Sequence, residues 1–176
     1  MVHISIQHII GTVALIGLAI SLALAYQIVV GYVEENVIRT QLSQTAEYVS
    51  MSISHIINLM DFTYGMFKEY VTVSKSLNLP SDLSGKAYII RLVNESGILY
   101  VRVEIPGRSS LYAKSSIPVN PASNISIVTD ENFTPNDSTI EPKEYVYGGN
   151  PNVVVWCEIR KGVLYIGLGL RRLSGE

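Results

Sequence analysis

Charge is missing where the chain begins. From His8 to Val33 there is no Asp, Glu, Lys or Arg, and no Lys or Arg occurs before Arg39. Cysteine is nearly absent: Cys157 is the only one, so neither an intrachain disulfide framework nor a cysteine-based zinc site can form. Histidine is confined to His3, His8 and His55, none with a second ligand at metal spacing. Strong net charge is lacking too. A formal charge of −2 offers no basic field for nucleic acid or anionic lipid. Phosphate-loop and dinucleotide fingerprints are absent, and Gly148-Gly149 reads as a turn before Asn150-Pro151. Ser109-Ser110 and Ser115-Ser116 have no His/Asp setting for nucleophilic catalysis. Asp130, Glu131, Asp137, Glu141 and Glu144 lack the spacing of a calcium loop and read as a solvated segment. These gaps leave no basis for an enzyme, a metal site or a cofactor.

What is present is hydrophobic length. Ile9 to Val33 is about 25 residues of apolar or small side chains, roughly 37 Å as a helix, against a hydrocarbon core of about 30 Å. Thr12, Ser21, Tyr26 and Gln27 are the polar interruptions, and these bond backbone or sit near an interface. A secretory signal would carry a basic start and a shorter apolar region, so a membrane helix is the better reading. Ala23-Leu24-Ala25 matches a cleavage site by pattern only. Gly17, Ser21 and Ala25 fall four apart, which puts small side chains on one face where a second helix can approach.

Past Glu34-Glu35-Asn36 no Gly or Pro interrupts the chain. Apolar residues recur at Ile38, Leu42, Ala46, Val49, Ile53, Ile56 and Met60, a stripe with helical spacing. The helix therefore continues as an amphipathic one to about Met60, or on to Phe67. The stripe suits the chain's own C-terminal domain, the same stripe on another copy as a coiled coil, or both together. Cys157, inside Val153-Val154-Val155-Trp156, reads as a small buried hydrophobe.

The periodicity then changes from 3.6 to 2. Segment 74–85, with Pro80 and Gly85, reads as a connector. Ala87 to Val93 and Leu99 to Ile105 read as strands joined by the hairpin Asn94-Glu95-Ser96-Gly97. Leu111 to Ala113 and Ile125 to Val128 are shorter candidates. Asp130 to Lys143, with Pro135 and Pro142, reads as an exposed loop. Val153 to Ile159 fits a central strand, turned by Arg160-Lys161-Gly162 into the alternating Leu164 to Leu170. Gly167 and Gly169 on one face leave room for a close neighbour such as the amphipathic helix. The expected class is α+β: a long N-terminal helix, transmembrane then amphipathic, followed by an antiparallel β-sandwich-like domain of about six or seven short strands. Its expected divisions are a membrane and assembly helix (1–70), a connector (71–85) and an extracellular β-domain (86–176).

Orientation rests on sequons. Asn94, Asn124, Asn132 and Asn136 each begin an N-glycosylation acceptor pattern in polar, turn-like segments, which puts the β-domain outside the cell membrane. Pro135 directly after Thr134 weakens the third. The 11 tyrosines suit cross-strand packing and adhesive surface rather than catalysis.

A long helix, apolar then amphipathic, leading to an extracellular β-domain resembles the type IV pilin plan. The stretch ISIQHIIGTVALIGLAISLALAYQIVV resembles the N-termini of archaeal pilin-like and archaellin-like proteins, and QHIIGTV resembles membrane-anchored archaellar stator proteins. The resemblance covers about the first sixty residues as motif and the rest as architecture. Two features depart from it: the first ten residues hold no basic residue and no glycine, and the acidic residue near the mature N-terminus of bacterial pilins is missing. The resemblance implies a non-enzymatic filament subunit. It would assemble with copies of itself or related pilin-like subunits through Gly17, Ser21 and Ala25, and through Ile38, Leu42, Val49, Ile53, Ile56 and Met60. The alternative is a retained membrane anchor whose β-domain grips a surface-layer or filament component. A sensor module has the least support.

Overall fold

The computed structural model describes residues 2–64, 71–119 and 124–172. The helix end at Phe67 lies outside the described residues, as does the side chain of His3. The chain falls into two compact units, Met1–Val37 and Ile38–Glu176. The expected domain boundary near residue 70 is therefore corrected: the β-domain's unit begins inside the helix, because the apolar stripe is part of its core.

Among the described residues, one helix, α1 (Val2–Tyr64), precedes nine strands: β1 (Thr72–Ser76), β2 (Ile89–Glu95), β3 (Ile98–Glu104), β4 (Tyr112–Ser116), β5 (Ile125–Val128), β6 (Ile140–Lys143), β7 (Tyr145–Tyr147), β8 (Val153–Arg160) and β9 (Val163–Arg171). The architecture is the expected α+β. Two sheets form: a five-stranded one in the order β1-β8-β9-β5 with β6 also on β9, and a four-stranded one in the order β4-β3-β2-β7. All pairings are antiparallel except β5 with β9, which is parallel.

Two tight turns set the register. Ser96 (φ 54°) and Gly97 (φ 84°) join β2 to β3, and Lys161 (φ 50°) and Gly162 (φ 76°) join β8 to β9. Positive φ at both central positions is what a two-residue turn needs to follow the strands' right-handed twist. Alternation then sorts side chains by face. Val153, Val155, Cys157 and Ile159 of β8, with Leu164, Ile166 and Leu168 of β9, face the main core, as do Leu99, Val101 and Val103 of β3. Val154 and Trp156 face the opposite side of the five-stranded sheet.

Within Ile38–Glu176, α1 contributes its whole stripe to that core. Leu42, Ala46, Val49 and Ile53 have no exposed surface. The helix bonds an edge strand of each sheet. Ser50 Oγ donates to the Ser116 carbonyl of β4 at 2.7 Å, and Lys75 Nζ of β1 donates to Ser52 Oγ at 3.1 Å.

Three local expectations are corrected. The connector holds a strand: β1 pairs with Val154–Glu158 of β8, and its sequence TVSKS hid it because an edge strand keeps only partial burial. The segment from Asp130 to Lys143 is not simply an exposed loop. Ile140–Lys143 is β6, with Pro142 opposite Gly169, and proline is tolerated there because β6 has an open edge. Before it, Phe133 stacks on Trp156 at 5.5 Å and lies 5.4 Å from Tyr165, and Pro135 is buried. This segment covers the back of the five-stranded sheet. Third, the neighbour that needs Gly167 and Gly169 is not the helix. A Cβ on Gly167 would lie 2.5 Å from the Trp156 ring, and one on Gly169 would lie 2.6 Å from the Glu141 carbonyl oxygen.

Candidate functional site

Of the unit Met1–Val37, the described residues 2–37 are a single stretch of α1. It provides the one helix long and apolar enough to cross a membrane among the described residues, with a mean hydropathy of 2.4 over its best window and none of that window buried. Large apolar side chains are exposed all round it, Leu15 at 69%, Leu22 at 63% and Ile28 at 74% among them. Two of its hydroxyls, on Thr12 and Ser21, are bonded to its own backbone. Thr12 Oγ1 donates to the His8 carbonyl and Ser21 Oγ to the Gly17 carbonyl, each at 2.9 Å. Such back-bonding to the carbonyl four residues earlier removes a polar group from the helix surface, which a hydrocarbon environment demands. Apart from the backbone of its own helix turn and its chain neighbours, no described residue lies within 4 Å of where a Cβ on Gly17 would be, and Ser21 and Ala25 are exposed with it. The expected small-residue face is therefore open along its length.

The other assembly residues lie elsewhere in kind. Ile38, Leu42, Val49, Ile53, Ile56 and Met60 are at most 3% exposed, in the core with both sheets. Of the two partners open to the stripe, the chain's own domain occupies it. These six side chains cannot also meet a neighbouring copy while the domain is folded, so their assignment as assembly contacts is corrected. The reason is area: both sheets direct apolar faces inward, and the stripe completes their cover.

Cys157 lies under the helix. Its Sγ donates to the Ile56 carbonyl at 3.6 Å. Burial, with the negative charges of Asp61 and Glu158, pushes the thiol up to about 12. A thiol so held stays protonated and unreactive. Burial likewise raises the Tyr88 phenol, helped by Asp82, and Tyr88 Oη donates to the Pro80 carbonyl at 2.8 Å.

A polar cluster not foreseen in the sequence centres on Glu158, which has no exposed surface. One carboxylate oxygen accepts from Thr72 Oγ1 at 2.9 Å and from the Asn136 backbone N–H at 3.0 Å. The other forms an ion pair with Arg160. Arg160 also donates to the Thr134 carbonyl and lies 4.6 Å from the Phe133 ring. A buried carboxylate needs such partners. Here they tie the segment carrying two sequons to the sheet. The signal was available: one carboxylate in an otherwise apolar strand, two residues before an arginine.

The four sequon asparagines are all exposed. Asn94 Oδ1 accepts from the Gly97 N–H at 3.1 Å, and Asn132 Nδ2 donates to Asp130 Oδ1 at 2.9 Å. The neighbouring acids are engaged by hydroxyls and cations, with Lys143 between Glu141 and Glu131 and Arg172 also on Glu141. Thr139 bonds lower the pKa of Asp137, and Lys143 at 2.6 Å lowers that of Glu141. Among the described residues no three His, Cys, Asp or Glu converge on a metal position. His8 and His55 are exposed on α1.

Compared with known protein families, with curated proteins and with solved structures, the chain matches none.

Proposed function

We propose that this chain is a non-enzymatic structural subunit of a cell-surface filament of pilin-like plan. Its helix from His8 to Val33 is the polymer-forming element, and its β-domain lies outside the cell. One observation carries the reading: the apolar half of α1 is exposed on every side, while the apolar stripe from Ile38 to Met60 is consumed by its own domain. A helix uncovered on all sides needs lipid or other helices. Gly17, Ser21 and Ala25 supply a face on which copies approach closely. Apolar burial, at about 25 cal/mol per Å² as an upper guide, drives the association once the helix leaves lipid. The exposed sequons suit a glycosylated outer domain.

A second reading keeps the same helix in the bilayer as a permanent anchor, with the β-domain binding a surface-layer or filament component. The backbone-bonded hydroxyls of Thr12 and Ser21 favour it, since lone spans in lipid hide such groups.

Shearing cells that express the chain, then blotting sheared filaments against washed membranes, separates the two. Recovery in filaments, abolished by Gly17→Arg or Ser21→Arg with the β-domain still folded, supports the polymer. Recovery in membranes alone overturns it in favour of the anchor.

A further inference from the structure

The part of α1 that packs on the β-domain has a second stripe, on the side away from the core. Tyr48 (38% exposed), Met51 (61%), Leu59 (52%) and Phe62 (74%) are exposed, with His55 among them. At 100° per residue these positions fall within about 80° of one another, on the side roughly opposite Leu42, Val49 and Ile53. Between the two apolar faces, Ser43, Glu47, Ser54 and Asp61 form a polar strip.

The spacing is that of a heptad. With Tyr48 at a, Met51 is d, and His55 and Phe62 are a again. Val49, Ile53, Ile56 and Met60 fall at b and f, the positions that a coiled coil turns outward, and here they are the residues buried in the chain's own core. The a/d seam is open at Met51, His55 and Phe62, and at its first position Tyr48 keeps 38% of its surface exposed while its hydroxyl accepts from the Asn78 N–H at 3.2 Å.

Charge selects what covers it. Glu47 is at g on one flank. On the other, Ser52 is at e and holds the ammonium of Lys75, reaching over from β1. In a parallel, in-register pair, g of one helix faces e of the next heptad in its partner, five positions on, so Glu47 comes against the lysine that covers the buried Ser52. An antiparallel pair would instead turn Glu47 toward the flank carrying Asp61, acid against acid.

We propose that the seam Tyr48–Met51–His55–Phe62 is a parallel, homotypic helix–helix interface with a second copy of this chain, framed by Glu47 of each copy against Lys75 of the other. The inference rests on the reading above only in that copies inserted through one helix share a direction. It goes beyond that reading, because such a pair forms in the membrane before a filament is built, or where none is built. His55 at an a position and Asn58 at a d position weaken the seam and fix its register, which suits a pairing that can be undone.

Site-directed cross-linking tests this in full-length protein in native membranes and in sheared material. The buried thiol of Cys157 is silent, so Met51→Cys introduces the only reactive one. Oxidation should give disulfide dimers with Met51→Cys about tenfold more readily than with Ser138→Cys, because pairing raises the local thiol concentration. Glu47→Lys should reduce the dimer several-fold, and adding Lys75→Glu should restore it. Glu47→Gln, which keeps the fold and removes only the charge, should reduce it less. Equal cross-linking of Met51→Cys and Ser138→Cys overturns the interface. Dimers indifferent to Glu47→Lys overturn the parallel register. Filaments recovered with no Met51→Cys dimers in either fraction leave the filament reading standing and sink this one. Dimers in membranes with no filaments recovered leave this interface standing and sink the filament reading.

Discussion

The two halves of α1 have much the same appetite for burial and meet it differently. Before Val37 the apolar residues are unpatterned and exposed all round. After Ile38 they recur every three or four positions, and those of the inner stripe are buried in a core shared by two sheets. Composition alone would call both halves hydrophobic. Period separates them: a helix apolar all round must find lipid or many helices, whereas a striped one needs a single flat partner.

Matched substitutions put that contrast to the sharpest test. Val49→Asp should unfold the β-domain outright, since a buried unpaired carboxylate costs more than about 4 kcal/mol. The loss is read from the emission of buried Trp156 in detergent-solubilised full-length protein. Leu22→Asp should leave that emission and the melting curve unchanged. It should instead make membrane insertion less favourable by about 3–4 kcal/mol at the helix centre, lowering the inserted fraction. If both variants melt alike, the halves are not independent. A milder pair follows. Leu42→Ala should cost about 2–5 kcal/mol of domain stability, and Leu24→Ala close to none, by denaturant titration.

Cys157 reports on the buried half through pH. Its thiol is raised to about 12 when folded, against about 8.5 when free. Its contribution to stability is complete below about pH 8.5 and is lost as pH rises toward 12. Cys157→Ala should therefore flatten part of the alkaline decline in Tm, with Tyr88, Tyr145 and Lys143, all raised, contributing to the rest. The smallest effect is expected on the outer seam. Met51→Ser should change domain stability by less than about 0.5 kcal/mol, because an exposed side chain loses little burial. A larger loss would mean that the seam is covered within the chain.

Much of this fold could be read in the sequence where pattern is strong. The end of the charge-free stretch at Glu34, the switch to period 2, and the turns at Ser96-Gly97 and Lys161-Gly162 are local signals, and the structure follows them. What failed was non-local. TVSKS becomes strand β1 only because β8 offers it an edge, and the β6 segment IEPK survives a proline because its other edge is open. Phe133 and Pro135 lie in a polar stretch whose destination, the back of the five-stranded sheet, no local pattern records. Gly167 and Gly169 announced a close neighbour, but its identity depended on which face Trp156 took. The inner stripe announced a partner without saying which. Glu158 was visible as an anomaly, but its partners Thr72, Asn136 and Arg160 come from three separate segments.

The bond between Cys157 and the Ile56 carbonyl joins residues 101 positions apart. Part of the core that the inner stripe joins, the apolar residues of β8 and β9, lies more than 90 positions beyond the stripe in the chain. A ribosome delivering this protein releases the hydrophobic helix first and the last of its cover at the end. Until then the stripe is a sticky surface with incomplete native cover, the condition in which nascent chains aggregate. Such long-range closure is also slow. Early capture of the His8–Val33 segment by a bilayer would hold each growing copy in place and apart from its neighbours in solution. The first helix would then guard the folding of everything that follows it.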